Sequence, residues 1–65
     1  MNIKKSILKA CAEREKKQYE AAEMAGISQP VMSKIMSRGA CSLLTLEKIA
    51  KALDYSVSEF IALGE

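Results

Sequence analysis

The segment QYEAAEMAGISQPVMSKI, residues 18–35, decides the fold because it joins two short apolar-periodic stretches through one glycine. Its first stretch places Ala21, Ala22 and Ala25 on one side of a helix that we predict over Gln18 to Ala25. Gly26 follows as a residue that adopts positive φ without strain and so ends the helix. Two helices joined by a three- or four-residue turn with a glycine form a helix-turn-helix pattern.

The second stretch predicts a helix that starts around residues 28–30 and runs to about Met36, with Val31, Met32 and Ile35 as its apolar positions. Pro30 is tolerated in a first turn because the missing N–H would have had no partner there. The residue before a proline avoids the α region, so Gln29 is either the N-cap or the first helical residue.

Helical periodicity continues on both sides of this segment. Residues 3–14 predict a first helix with the inward stripe Ile3, Ile7, Leu8 and Cys11. Arg38-Gly39 ends the third helix, and Ser42 caps a fourth whose inward face is Leu43, Leu46, Ile49, Ala50 and Leu53. Residues 56–59, SVSE, match a capping box that opens a short fifth helix, and Gly64 stops it. We predict one all-α, five-helix domain over residues 1–65, with the helix-turn-helix at about residues 18–36.

Charge is divided unevenly along the chain. Residues 1–38 hold eight Lys and Arg against four Glu, a balance of +4, whereas residues 39–65 hold two Lys against four acidic residues, a balance of −2. This asymmetry predicts a basic face for an anionic partner, although ordinary solvated helix surface explains the charges equally well.

The composition argues against several classes of protein. Cys11 and Cys41 are the only cysteines and there is no histidine, so a zinc site lacks ligands and free thiols are expected. The sequence shows neither paired carboxylates nor a phosphate-binding glycine loop, so nothing in it indicates an enzyme. No signal peptide or membrane-length apolar run is visible, which fits a reducing cytoplasm. We expect no cofactor, no metal and no catalytic residue.

The outward residues of the third helix carry the functional signal. They are small, polar or cationic, and they are Ser28, Gln29, Pro30, Ser33, Lys34 and Ser37. A helix with short polar residues at its N-terminal end fits the major groove and offers amide donors and acceptors to base edges. The alternative class is a protein-interaction module, but its groove would more often expose Leu, Phe or Tyr.

Two blocks of sequence resemble the lambda-repressor-like family, the Cro and XRE-type helix-turn-helix regulators. The first block comprises Gln18, Ala22, residues 26–29, Ile35 and Arg38-Gly39; the second is SLLTLEKIAKALDYSVSEF, residues 42–60. The resemblance covers about residues 3–63. The chain departs from the family pattern at four places, which are Lys17 at the usual Ser or Thr cap, Cys11 at a frequent arginine, Asp54 at a frequent glycine, and a loop over residues 36–41 without the usual proline.

The resemblance implies a double-stranded DNA-binding transcriptional regulator, a small Cro-like repressor that acts as a homodimer on a palindromic operator. It implies that Gln18 contacts a phosphate and braces Gln29, which reads a base, and that Pro30 meets a thymine methyl. The expected base contacts are Gln29, Pro30, Ser33 and Lys34. The expected phosphate contacts are Gln18, Tyr19, Ser28, Ser37, Arg38 and Lys17.

The apolar residues of the last helix imply a two-fold dimer contact. We expect this contact to be formed by Tyr55, Val57, Phe60, Ile61 and Leu63, with Phe60 alternatively closing the monomer core. No small-molecule effector or membrane is expected among the partners, and a bacterial or phage protein of the nucleoid fits this reading. The alternative function is a helical protein-interaction module or antirepressor of the same fold that does not bind DNA.

Overall fold

A computed structural model describes residues 2–65, which form five helices and no strand. The helices are α1 (Ile3–Glu13), α2 (Gln18–Ala25), α3 (Gln29–Arg38), α4 (Leu43–Ala52) and α5 (Val57–Leu63). They pack into a body of 25 × 22 × 18 Å, in which α1 packs against α5 and α3 while α4 packs against α2 and α5. The predicted all-α, five-helix fold is therefore confirmed.

The turn between α2 and α3 has the glycine geometry that the sequence predicts. Gly26 has a φ of 72°, and the N–H of Ile27 donates to the carbonyl of Ala22 at 2.8 Å. The N–H of Gly26 donates to Glu23 at 3.1 Å, which completes a Schellman motif. Ile27 is half-buried against the core and anchors the turn.

The ends of α3 settle the question about its N-cap. Ser28 has extended backbone angles and is the N-cap, so Gln29 is the first helical residue despite the proline that follows it. The helix ends at Arg38 with Gly39 as its C-cap, as the Arg38-Gly39 pair predicts, although its apolar positions extended only to about Met36. There Gly39, with a φ of 70°, donates its N–H to Ile35 at 2.8 Å.

Two other helix ends use the same left-handed turn without a glycine. Glu15 after α1 has a φ of 55° and Asp54 after α4 has a φ of 61°. In both turns the next N–H reaches back to the helix, from Lys16 to Cys11 and from Tyr55 to Ala50, each at 2.9 Å. A non-glycine residue in this conformation strains the backbone, so these two turns lower the stability of the fold.

The core is built from one side of each helix. Its members are Ile3, Ile7, Ala10, Cys11, Ala21, Ala22, Met32, Ile35, Leu46, Ile49, Ala50, Leu53 and Phe60. Two residues that the periodicity placed inward, Leu8 (50%) and Leu43 (64%), are instead exposed, and so is Val31 (45%), which it gave as an apolar position of α3. Leu8 lies about 100° around its helix from the buried Ile7, and Val31 lies about 100° from the buried Met32. Leu43 lies in the first turn of α4, ahead of the turns that pack inward.

The end of α1 is tied to the turn between α4 and α5. The Nε of Arg14 donates to the carbonyl of Leu53 at 2.9 Å, and its Nη2 donates to the carbonyl of Asp54 at 3.1 Å. The guanidinium also lies 4.2 Å from the ring centre of Tyr55, whose hydroxyl donates to Glu13. Arg14 is therefore a structural cation that holds the α4–α5 turn.

Gly64 stands where α5 meets α1, and it is required by space rather than by φ. Its φ is −88°, but a Cβ at this position would overlap the backbone oxygen of Asn2 and the hydroxyl of Ser6. Ser6 is itself fully buried, and its hydroxyl has no hydrogen-bond partner among residues 2–65. The expectation that Gly64 stops α5 holds, for the added reason that α1 passes directly against it.

Both cysteines carry free thiols, with Cys11 buried and Cys41 half-buried. Burial raises the pKa of both thiols, and the negative charge of Glu20 raises the pKa of Cys11 further. Neither thiol is therefore activated as a nucleophile. Within residues 2–65, no helix has the length and apolar character needed to span a bilayer.

Candidate nucleic-acid interface

α3 is half buried and half exposed along its length. Met32 and Ile35 anchor its inner side in the core, while Gln29, Pro30, Ser33 and Lys34 are all exposed. An α-helix with its side chains is about 10–12 Å across, which suits a major groove about 12 Å wide. The fold thus brings the four predicted base-contact residues to the exposed surface of one helix.

Val31 is an exposed residue of α3 that sequence reasoning missed. It is 45% exposed beside Pro30, so two of the first three residues of the helix present apolar surface to solvent. Pro30 also has no backbone N–H to donate. Periodicity alone could not reveal this, because Val31 and Met32 are adjacent apolar residues and only the packing decides which one faces inward.

The brace on Gln29 differs from the one that the family resemblance implies. The Nε2 of Gln29 donates to the backbone carbonyl of Tyr19 in α2, at 3.5 Å, rather than to the side chain of Gln18. At this length the bond is weak. One N–H and the amide oxygen of Gln29 stay free, and one donor with one acceptor is the pair that an adenine edge requires.

The N-termini of α2 and α3 are not capped by their own N-cap side chains. Ser28 makes no side-chain cap bond, and the first bond within α3 runs from the N–H of Met32 to the carbonyl of Ser28 at 3.0 Å. Lys17 has no acceptor atom, so only half of a capping box forms at α2, in which the N–H of Lys17 donates to Glu20 at 2.9 Å. Both helix starts keep free N–H donors of the kind that bind anions.

The predicted phosphate contacts surround these two helix starts and the end of α3. Lys17 and Tyr19 are exposed at the start of α2, with the Nζ of Lys17 6.0 Å from the ring centre of Tyr19. Gln18 is half-buried between them. Ser28 is exposed at the start of α3, and Ser37 and Arg38 are exposed at its end.

The predicted dimer contact on α5 needs one correction. Phe60 is fully buried and lies 6.4 Å from Tyr55, ring centre to ring centre, so it closes the monomer core and offers no surface to a partner. The other four predicted residues, Tyr55, Val57, Ile61 and Leu63, pack on the core and are half-buried.

Leu43 and Leu44, at the start of α4, are each 64% exposed and show more apolar surface than the α5 residues do. Among residues 2–65, no three His, Cys, Asp or Glu side chains group as a metal site would require.

Comparison with known proteins identifies the domain from its sequence. The family model described as a Cro/C1-type HTH DNA-binding domain matches residues 6–64, a range that begins within α1 and includes α2 to α5. No curated protein and no solved structure matched the chain.

Proposed function

The chain belongs to the Cro/C1-type helix-turn-helix DNA-binding family, and we propose that it is a small repressor that binds a palindromic operator as a dimer. The observation that carries this proposal is the division of α3, which buries Met32 and Ile35 and exposes a polar, cationic face. A helix of this kind enters the major groove, where every base pair presents a distinct pattern of donors and acceptors.

Each exposed residue of α3 has a role that follows from its chemistry. The free N–H and oxygen of the Gln29 amide match the N7 and N6 of an adenine. The ammonium of Lys34 suits a guanine or a phosphate. The hydroxyl of Ser33 can donate to or accept from a base edge. Pro30 and Val31 together offer an apolar surface to thymine methyl groups, so we propose Val31 as an addition to the base-contacting set.

Phosphate contacts hold the helix in place without reading the sequence. The free N–H groups at the starts of α2 and α3 point outward with a partial positive charge that favours an anion. Lys17, Tyr19 and Arg38 surround these starts and the end of α3 with exposed donors, and Gln18 and the hydroxyls of Ser28 and Ser37 complete the set.

Dimerisation would place two copies of α3 about 34 Å apart, which is one turn of DNA. We assign the contact to the half-buried residues of α5, with Ile61 at its centre. The exposed pair Leu43 and Leu44 is the competing surface. Sedimentation should show a concentration-dependent dimer that Ile61→Glu weakens and Leu44→Glu leaves intact. The reverse result would move the contact to the start of α4.

The central test is random-site selection followed by binding measurements on two variants. Gln29→Ala should lose specific affinity and relax the preference at one base pair in each half-site, with the salt dependence nearly unchanged. Arg38→Ala should weaken binding to all sequences alike and reduce the salt slope by about one unit. If Gln29→Ala selects the same sequence as the wild type, α3 is not the reading helix.

A second candidate is a protein-binding module of the same fold, which the exposed Leu43 and Leu44 favour because they lie off α3. Retention on heparin and on random DNA separates the two functions. A DNA-binding protein elutes later as salt is lowered and is displaced by competitor duplex. A protein-binding module shows weak retention that Gln29→Ala and Arg38→Ala leave unchanged.

A further inference from the structure

A groove lies between the start of α1 and the end of α3, beyond the surface that the helix-turn-helix provides. It has a volume of about 310 Å³, and its walls are formed by Asn2 and Lys4 on one side and by residues 36–39 on the other. The N–H of Ile3 donates to the carbonyl of Gly39 at 3.1 Å, which fixes the two walls relative to each other. The groove is therefore a fixed feature of the fold.

The charge of the groove has one sign. Among residues 2–65, Lys4 and Arg38 are the only charged residues that line it, and no carboxylate of these residues offsets the two cations. Both side chains are exposed, so their mutual repulsion is screened but not removed. A bound anion attracts both cations and so offsets their repulsion, and the hydroxyl of Ser37 and the amide of Asn2 add neutral polar groups to the same groove.

We propose that this groove holds a phosphate of the DNA backbone, which makes Lys4 of α1 a DNA contact. The inference rests on the proposed DNA-binding function and extends its footprint to a helix outside the helix-turn-helix. A backbone phosphate is the fitting anion because Ser37 and Arg38 belong both to the groove and to the exposed end of α3. A strand that passes the end of α3 therefore meets Lys4 next.

The chain supplies matched controls on the same helix. Lys4, Lys5 and Lys9 are all exposed lysines of α1, but only Lys4 lines the groove. Each change to alanine removes one positive charge, so a general effect of net charge would be the same for all three. The selected duplex and a random duplex serve as ligands, and circular dichroism checks that each variant is folded.

Lys4→Ala should weaken binding to both duplexes by about threefold to tenfold and lower the salt slope by about one unit, as the loss of one phosphate contact requires. Lys5→Ala and Lys9→Ala should change the slope by much less, and Lys4→Arg should restore it. Equal effects from the three alanine variants would overturn the proposal while leaving the proposed function intact. Absence of any DNA binding by the wild type would overturn both.

A second arm identifies the phosphate. Single methylphosphonate substitutions, which neutralise one backbone phosphate at a time, should reveal a position in each half-site that weakens wild-type binding and leaves Lys4→Ala unaffected. If inorganic phosphate instead raises the melting temperature of the wild type but not of Lys4→Ala, and no methylphosphonate position depends on Lys4, the groove binds a free anion and the proposal is wrong.

Discussion

The supporting helices α1, α4 and α5 are capped at their N-termini by the side chains of their N-cap residues, whereas α2 and α3 are not. Asn2 accepts from the N–H of Lys5 at 3.1 Å, Ser42 from Thr45 at 3.3 Å and Ser56 from Glu59 at 3.1 Å. The N-cap residues of α2 and α3, Lys17 and Ser28, accept no such bond. The side chain of Lys17 has no acceptor atom, and the hydroxyl of Ser28 makes no cap bond.

This difference separates two tasks within one small domain. A side-chain cap stabilises the free protein by satisfying N–H groups that an anion could otherwise bind. The supporting helices use that stabilisation. The helix-turn-helix pair leaves its donors to solvent, or to a phosphate under the function proposed here. Changes at the capped starts of α1, α4 and α5 should therefore act on stability, and changes at the starts of α2 and α3 should act mainly on binding.

The largest effect is expected at Phe60, which closes the core where α5 meets the rest of the domain. Phe60→Ala should lower the free energy of unfolding by about 3–5 kcal/mol, because it removes a fully buried ring and leaves a cavity. Urea denaturation measures the loss. Leu8→Ala is the control, since Leu8 is 50% exposed, and a similar loss from both variants would contradict the assignment of Phe60 to the core.

The next largest effect is expected in the turn between α2 and α3, where Gly26 has a positive φ. Gly26→Ala should cost about 1–2 kcal/mol, because an L-residue at a φ of 72° is strained. Apart from Gly26 and its two chain neighbours, no heavy atom of residues 2–65 lies within 4 Å of the added Cβ, so the cost is conformational and not steric. Gly26→Asn is the matched variant, because asparagine tolerates this region better, and it should be less destabilising than alanine in the same thermal melts.

The caps themselves give a smaller and more selective effect. Ser42→Ala and Ser56→Ala should each lower the free energy of unfolding by about 1 kcal/mol, which is the usual cost of losing an N-cap. Ser28→Ala should change stability by much less, because Ser28 makes no cap bond, yet it should weaken DNA binding. A loss of stability from Ser28→Ala equal to the other two would remove the contrast between the halves of the molecule.

A gain in stability is expected where the supporting helices hold a strained residue. Asp54→Gly and Glu15→Gly should each raise the free energy of unfolding by about 0.5–1 kcal/mol, because glycine relieves the backbone strain at positive φ and loses part of that gain to chain entropy. The carbonyl of residue 54 still accepts from Arg14 in the first variant. Chemical denaturation would refute the strain if both variants were less stable than the wild type.

The smallest effect concerns pH. The N–H and hydroxyl of Ser56 hold the pKa of the Glu59 carboxyl below its usual value. A carboxyl with a lowered pKa stabilises the fold above its unfolded pKa, about 4.3, and the benefit disappears as the pH falls through the lowered folded value. The difference in melting temperature between the wild type and Glu59→Gln should therefore shrink on acidification. A difference that is constant from neutral to acid pH would rule out this contribution.

Local signals in the sequence predicted most of the fold. Gly26, the Ser42 cap and the capping box of Ser56 and Glu59 each fix a helix end through residues only a few positions apart, and all three are present in the structure. The boundaries of α2 follow from the same local chemistry. Such signals are readable because the hydrogen bonds that they form do not depend on the packing of distant helices.

What the sequence could not supply depends on which helices meet. Val31 and Met32 are equally apolar neighbours, and only the position of the core relative to α3 decides that Met32 is buried. In the sequence, Lys4 resembles any other solvated lysine. Only the packing of α1 beside the end of α3 brings it to the groove that Arg38 also lines. The roles predicted for the outward residues of α3 remain predictions for the binding experiments.

The contact of Gly64 with Asn2 and Ser6 bears on how the chain folds as it is made. α1, the first of the five helices to be synthesised, packs against α5, the last of the five. Phe60, which completes the core, emerges at the same late stage. The domain therefore cannot close its core during synthesis of its first four helices, and a stalled chain that lacks α5 should present an open, protease-sensitive α1 and expose the apolar residues that Phe60 covers.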